Sequence, residues 1–370
     1  MFKFKDYDFK RYNISLLIVT AILTSLGVFL IKQVKPDDYK KQIIGIIGGL
    51  FIVIIVSLID YHFISKFFIL LYLINMVLLV LVKLIGVEYY NAQRWLNLKF
   101  FDLQPSELSK IILIIFFAKL FTIFEHRINN GIFLLISIIL MAMPTFLILI
   151  QTDLSTSIVL MAIFVMLVFA AGLSWKIILP ILIVGIPIAF GLFWYVQQDY
   201  QVILSNNQQQ RILSILNPED YPATMYQQEN AIQAIGSGQL VGKTFIDETS
   251  ELRGYRHVPI AESDFIFSVA GEEFGFLGCS FILLLFAFII YTCLFTAKNA
   301  PDRMGMLIAV GIASMFAFQV FVNIGVVTAI LPNTGIPLPF LSQGLSSLIS
   351  SMTAIGLIIN IRLQPKKVRR

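Results

Sequence analysis

The sequence predicts an all-α polytopic membrane protein of about ten transmembrane helices with one long loop. Of its 370 residues, 58% are hydrophobic and 13% charged, against about 25% charged in a soluble globular domain. Too little polar surface exists to cover a fold in water. The apolar residues are also gathered into runs of about 20, the length that crosses a bilayer as a helix. Runs such as Ile111-Ile-Leu-Ile-Ile-Phe-Phe117 lack two-residue alternation, which excludes a membrane barrel.

Taken in order, the chain opens on a charged leader, residues 1–13, with Lys3, Lys5, Lys10 and Arg11. Apolar runs follow near 14–31, 43–63, 67–86, 106–124, 131–151, 154–172, 176–195, 265–296, 304–330 and 339–361. Each is expected to be a helix, because a segment in lipid must satisfy its own backbone. A long polar loop, about 197–263, separates the seventh run from the eighth, and a basic tail, about 362–370, closes the chain. The whole, 1–370, reads as one membrane domain. The first run lacks a small-residue cleavage site, so no cleavable signal peptide is expected.

Basic residues orient the bundle. With both termini in the cytoplasm, fifteen of the 27 Lys and Arg residues fall in short inner loops and tails. These are the leader's four, Lys66, Lys119, Arg127, Lys176, Lys298, Arg303 and five from Arg362 to Arg370. Almost all unusual polar residues then collect on the outer side, where a working site is expected. The inner loops are too small to bind a nucleotide, and no phosphate-loop motif occurs, which excludes an ATP-driven pump. Cys279 and Cys293 match no metal spacing, and His62, His126 and His257 form no cluster. The charge of +5 is explained by topology; no nucleic-acid partner is expected.

Four outward stretches carry chemistry, with a broken turn beside them. The first holds Arg94 and Trp95, then Gln104-Pro-Ser-Glu-Leu-Ser-Lys110. Pro105 suits a first helical position, and Glu107 and Lys110 share a face at i, i+3. A helix-end ion pair reaching to the interface is the plain alternative. In the second, Asp153 opens a helix as cap or catalyst. The third is loop: Arg211–Pro218, then glycines 236, 238 and 242 with Lys243 as a cation for an anionic group.

The fourth runs from Val258 to Gly275 and holds Glu262, Asp264, Ser268, Glu272 and Glu273. A helix starting near Asp264 would align Asp264, Ser268 and Glu272 on one face. Carboxylates at a membrane edge are costly and point to function; Glu272 and Glu273 read better as structural. Asn323-Ile-Gly325 and the stretch 332–347, which includes Ser342, break two apolar runs. Such backbone belongs where it lines a cavity, and a tight hairpin is the plain alternative.

In combination, Arg94-Trp95, Gln104-Pro-Ser-Glu-x-x-Lys110, Gln151-x-Asp-Leu154, Ala234-Ile-Gly-Ser-Gly238, Asp264-Phe-Ile-Phe-Ser-Val-x-Gly-Glu-Glu-x-Gly275 and Thr334-Gly-Ile-Pro-Leu-Pro-Phe340 resemble the SEDS family of bacterial peptidoglycan polymerases, the RodA/FtsW/SpoVE group. The resemblance implies a glycosyltransferase that polymerises lipid II on the outer face of the cytoplasmic membrane, for elongation and shape or for division. It implies Asp264 as the essential aspartate, with Arg94, Trp95, Glu107 and Lys110 lining the cavity. Ser263 stands where Thr is usual, Thr244 where Gly is usual, and Gln343-Gly-Leu345 where Tyr-Gly-Gly is usual. Asp264-Phe-Ile-Phe-Ser268 and the short basic tail lean towards the RodA-like branch.

In that reaction a base must take the acceptor hydroxyl's proton, and positive charge must stabilise the departing diphosphate. Asp264 is either that base or the ligand of a divalent cation, Mg or Mn. No tightly bound cofactor is expected. Lys110, Arg94, Lys243 and Arg211 are candidate cations for the diphosphate. The expected partners are a class B penicillin-binding protein and other elongation or division machinery. A lipid II flippase or a scaffold for a partner synthase would account for the same spans without chemistry.

Overall fold

In the computed structural model, residues 7–89, 92–97, 102–198, 200–202, 204, 206–244 and 253–364 are described. Lys3 and Lys5 of the leader, Asn91 beside Arg94, and the tail beyond Gln364 lie outside them. Ten long helices form from the ten apolar runs: α1 (Ile14–Val34), α2 (Tyr39–Leu58), α4 (Phe68–Ile85), α5 (Pro105–Ile123), α6 (Gly131–Ile150), α7 (Leu154–Ala170), α8 (Trp175–Val196), α11 (Ile266–Lys298), α12 (Arg303–Val327) and α13 (Leu345–Leu363). Three shorter helices lie between them: α3 (Tyr61–Ser65), α9 (Asn206–Leu216) and α10 (Pro222–Ser237). Eight of the ten are long and apolar enough to cross a membrane. Of the others, α7 has 17 residues, and α5 carries Glu107, Lys110 and Lys119 within its 19.

Helix starts are set by side-chain oxygens that accept otherwise unpaired N–H groups: Asn13 on α1, Asn130 on α6, Asp153 on α7 and Asp302 on α12. The packing is layered. In α13 and α12, 78% and 67% of the apolar stretch is buried, against none of α8's. The inner pair therefore forms the core of the bundle, and α8 displays Ile181, Ile183, Phe190 and Trp194 outward. With no hydrophobic drive between helices in lipid, close packing rests on small residues. Gly311 of α12 sits against Ile114 and Leu167, and Gly356 of α13 against Val53 and Val56.

Four expectations need correction. The segment 86–105, expected to be loop, holds a small antiparallel sheet, β1 (Val87–Tyr89), β2 (Ala92–Asn97) and β3 (Asp102–Leu103), in the order β1-β2-β3. Its β-forming Val, Trp and Leu residues pair Val87 with Trp95 and Leu96 with Leu103. The long loop is partly helical, for α9 and α10 lie within it and α10 packs on α11. Asn323-Ile-Gly325 does not break α12, which runs on to Val327. The second span ends at Leu58, and Tyr61 opens a separate short helix.

Helix α11 is itself interrupted. Gly275 adopts φ 63°, ψ −163°, a region that residues with a side chain rarely enter. The interruption frees backbone groups, and residues 239–244 take them up. Lys243 and Thr244 donate to the carbonyls of Glu272 and Glu273 (3.0 and 3.1 Å), while Phe276 and Leu277 donate to those of Gln239 and Leu240 (2.8 and 3.0 Å). Gly242, at φ +82°, makes this approach, and a Cβ there would strike the Glu273 carbonyl.

A candidate catalytic carboxylate and its clasp

Asp264 lies in the turn 261–265, two residues before α11 begins at Ile266. It is therefore not on the helix, and the expected line of Asp264, Ser268 and Glu272 along one face does not form. Ser268 donates instead to the Phe265 carbonyl (2.7 Å), one turn from the start of α11.

A second non-helical segment, 332–344, holds the Asp264 turn at several points. Asn323 Nδ2 donates both to the Asp264 carbonyl (2.8 Å) and to that of Ile336 (2.7 Å). Ser342 Oγ donates to the Ser263 carbonyl (2.6 Å) and accepts from Leu338 N–H (2.7 Å). Gln343 N–H donates to the Glu262 carbonyl (2.8 Å). Gly335, at φ +72°, faces the carboxylate directly, and a Cβ there would stand 3.0 Å from Asp264 Oδ2. The stretch expected to line a cavity packs directly on the Asp264 turn.

Within this clasp Asp264 is partly accessible. Ser263 Oγ donates to Oδ1 (3.0 Å), and Oδ2 accepts no hydrogen bond among the described residues. Burial raises its pKa above the usual carboxylate value. The Ser263 hydroxyl, Arg94 and Arg211 pull the other way, and Asp153 adds to the rise. Arg94 extends from β2 and is anchored on the carbonyls of Thr152 (2.6 Å) and Gln151 (3.4 Å), with Nη1 4.0 Å from Asp153. Thr152 accepts a positive φ of 62° at that junction. Arg211, on α9, has no hydrogen-bond or ion-pair partner among the described residues; burial and the neighbouring Arg94 lower its pKa. The charges of two guanidiniums, distant from each other in the sequence, thus act on the carboxylate.

Asp153 does two things at once. It caps α7 through Thr156 N–H (3.2 Å) and accepts from Ser106 (3.3 Å) and Gln104 (3.4 Å) at the head of α5. Ser155 ties the same helix start to the Thr334 carbonyl (2.6 Å). Trp95 sits in β2, paired with Val87.

The other named residues divide differently from expectation. Lys243 bonds Glu272 Oε1 (2.5 Å) beside the interruption in α11. It neutralises a buried carboxylate there and is not a cation facing Asp264. Glu272 also accepts from the N–H groups of Gly254 and Tyr255 (both 2.8 Å). Glu273 accepts from Arg253 (3.1 Å), Tyr255 Oη (2.9 Å) and Thr244 (2.6 Å). Both glutamates, which the sequence reads as structural, are engaged by residues 243–255 and not by the Asp264 turn. Glu107 and Lys110 form an ion pair of 2.8 Å with each side chain 2% exposed. Burial rules out an interfacial pair that reaches to the surface. Glu107 Oε2 has no hydrogen-bond partner among the described residues.

Sequence reasoning missed the bracket outside the clasp. Lys35 bonds Asp38 (2.9 Å) and Glu262 (3.3 Å), and Gln343 donates to Asp38 (3.0 Å). The one local signal was the Lys35-x-x-Asp38 spacing. No group of three or more His, Cys, Asp or Glu residues that could hold a metal occurs among the described residues. Two arginines beside Asp264 fit a dedicated divalent-cation site poorly, since they already supply the positive charge a cation would bring.

The sequence model of the FtsW/RodA/SpoVE family, described as cell cycle protein, matches residues 11–367. The Escherichia coli K12 peptidoglycan glycosyltransferase MrdB is 33% identical over 375 residues, covering 98% of this chain and 97% of that protein. Stage V sporulation protein E of Bacillus subtilis is 31% identical over 366 residues, covering 94% and 96%. Among solved structures, one chain of a peptidoglycan synthase complex that coordinates polymerization and crosslinking superposes with a TM-score of 0.79 at 27% identity, covering 96% of this chain and 97% of that one. Thermus thermophilus rod shape determining protein RodA superposes at 0.69 and 26%, covering 96% of each. On a family match that spans almost the whole chain, and on relatives above 30% identity over nearly their full length, this multi-pass membrane protein belongs to the FtsW/RodA/SpoVE family, the SEDS proteins.

Proposed function

We propose that the chain is a peptidoglycan glycosyltransferase that polymerises lipid II at the outer face of the bacterial cytoplasmic membrane, with both termini cytoplasmic. Relatives named for that activity support the reaction class, and the distribution of Lys and Arg supports the orientation. The observation that carries the mechanism is a clasped carboxylate with one oxygen unpaired among the described residues, under the charges of two arginines.

In this mechanism Asp264 accepts the proton of the acceptor sugar's 4-hydroxyl as that oxygen attacks the donor's anomeric carbon. The bond to undecaprenyl diphosphate breaks with its electron pair passing to the diphosphate. A raised pKa suits the base, because proton transfer is most efficient when the catalyst's pKa lies near working pH. Arg211 and the charge of Arg94 stabilise the diphosphate as it leaves. Lys110 stays with Glu107 and Lys243 with Glu272, where each neutralises a buried charge. The chain works as one domain, 1–370. A class B penicillin-binding protein is the proposed membrane partner; the related chain in a synthase complex supports it.

Purified protein incubated with lipid II tests this reading. Asp264→Ala and Asp264→Asn are expected to lose polymerisation by about 10²- to 10⁴-fold, the range for a removed general base. Glycan chains at wild-type yield from either variant overturn it. Wild-type activity that survives chelation favours the base over the metal ligand; activity abolished by chelation reverses that choice.

A further inference from the structure

At the end of the bundle opposite Asp264, three helix ends meet around a polar recess of about 390 Å³. Its walls include Arg11 before α1, Thr296 and Asn299 at the close of α11, and Arg362 and Gln364 at the close of α13. Arg362 stacks over Phe295, 5.8 Å from guanidinium carbon to ring centre. It has no hydrogen-bond or ion-pair partner among the described residues. Arg11 holds Asp8 through Nε (3.0 Å), and its two terminal amino groups have no partner among the described residues. Gln364 gives its amide hydrogens to Asp60 and Asn360, Asn299 gives one of its own to the Phe295 carbonyl, and neither carries charge. The two arginines are therefore the charged donors of the recess. Their forks match a phosphate geometrically in a way that lysine does not.

What sits beside them identifies the ligand's other half. Tyr291, Leu294 and Phe295 of α11 are 64%, 50% and 43% exposed on the outside of the bundle. Charge at the helix ends and apolar side chains one turn deeper match a headgroup phosphate above acyl chains. The sequence then continues with Lys366, Lys367, Arg369 and Arg370, and clustered basic residues beside a membrane helix draw anionic lipid. We propose that this recess binds the phosphate of an anionic phospholipid, with Arg362 and Arg11 on the phosphate and the acyl chains along Tyr291, Leu294 and Phe295.

The test measures lipid retained by the full-length protein, by native mass spectrometry after exchange into mixed phosphatidylglycerol and phosphatidylcholine. Wild type is expected to keep phosphatidylglycerol by roughly tenfold over phosphatidylcholine, the lower range for contacts to a charged group. Arg362→Gln is expected to abolish the preference. Arg11→Gln, outside the long helices, is expected to weaken it and guards against a packing defect in the first variant. Equal retention of the two lipids by wild type overturns the proposal, as does a preference unchanged in both variants. Displacement of the lipid by millimolar inorganic phosphate assigns the recess to a free anion and overturns the lipid reading.

Discussion

Asp264, the proposed base, has its charge opposed by burial and supported by two arginines. In that proposed role activity requires the deprotonated form, and burial raises the carboxyl's pKa, so activity falls as pH drops through the raised value. The acidic limb of kcat/KM is therefore expected at higher pH than an ordinary aspartate would give, and a pH–rate profile reads it directly. Arg211→Gln removes a guanidinium unpaired among the described residues; a loss of about 10- to 100-fold in kcat/KM is expected, the scale of charged hydrogen bonds. Asp264 was legible in the sequence because a carboxylate at the edge of an apolar run is costly in any fold. Lys243 was not, because its partner Glu272 lies 29 positions away and no local spacing marks such a pair.

The element that governs the site's underside is α11 with its interruption at Gly275. Gly275→Ala is expected to destabilise by about 1–3 kcal/mol from backbone strain alone, before its Cβ meets the Leu240 carbonyl. A fall in melting temperature measures this. The Arg253–Glu273 pair, 4% and 3% exposed, is expected to be more sensitive still. Arg253→Leu leaves a buried carboxylate short of its countercharge, at about 3–5 kcal/mol. Apolar run length alone announced α11, for a helix in lipid has little choice of conformation. The interruption was hidden, since a glycine in a membrane helix is ordinary and only the docked 239–244 segment makes it a break. The small sheet was hidden too, being a three-residue and a two-residue strand around a longer one.

Across the whole molecule, the end opposite Asp264 is fastened by His62. Its ring bridges Asp60 (2.8 Å) and Asp302 (2.6 Å), and Tyr61 also donates to Asp302 (2.7 Å). Burial works against the charged ring, but Asp302 and Asp60 outweigh it and raise the His62 pKa above 6.5. Burial likewise opposes the carboxylates, yet the His62 N–H and ring bring Asp60 down to about 2 and the ring lowers Asp302. The histidine's contribution is complete below 6.5 and fades as pH rises through its raised value. The aspartates' contribution is present above 3.8 and fades as pH falls towards their lowered values. Melting temperatures of wild type and His62→Gln should thus differ most between those limits and converge in alkali.

The clasp around Asp264 has a consequence for ligands. Asn323, Ser342 and Gln343 fix the base and its facing wall to each other through main-chain atoms, so little ordering remains to be done on binding. A rigid diphosphate-sugar mimic shaped to that gap would lose little affinity to induced fit. Flexible mimics would forfeit affinity through their own freedom, not the protein's. During chain growth the same rigidity assigns the motion to the glycan, which must shift by one unit past a stationary carboxylate after each bond is made.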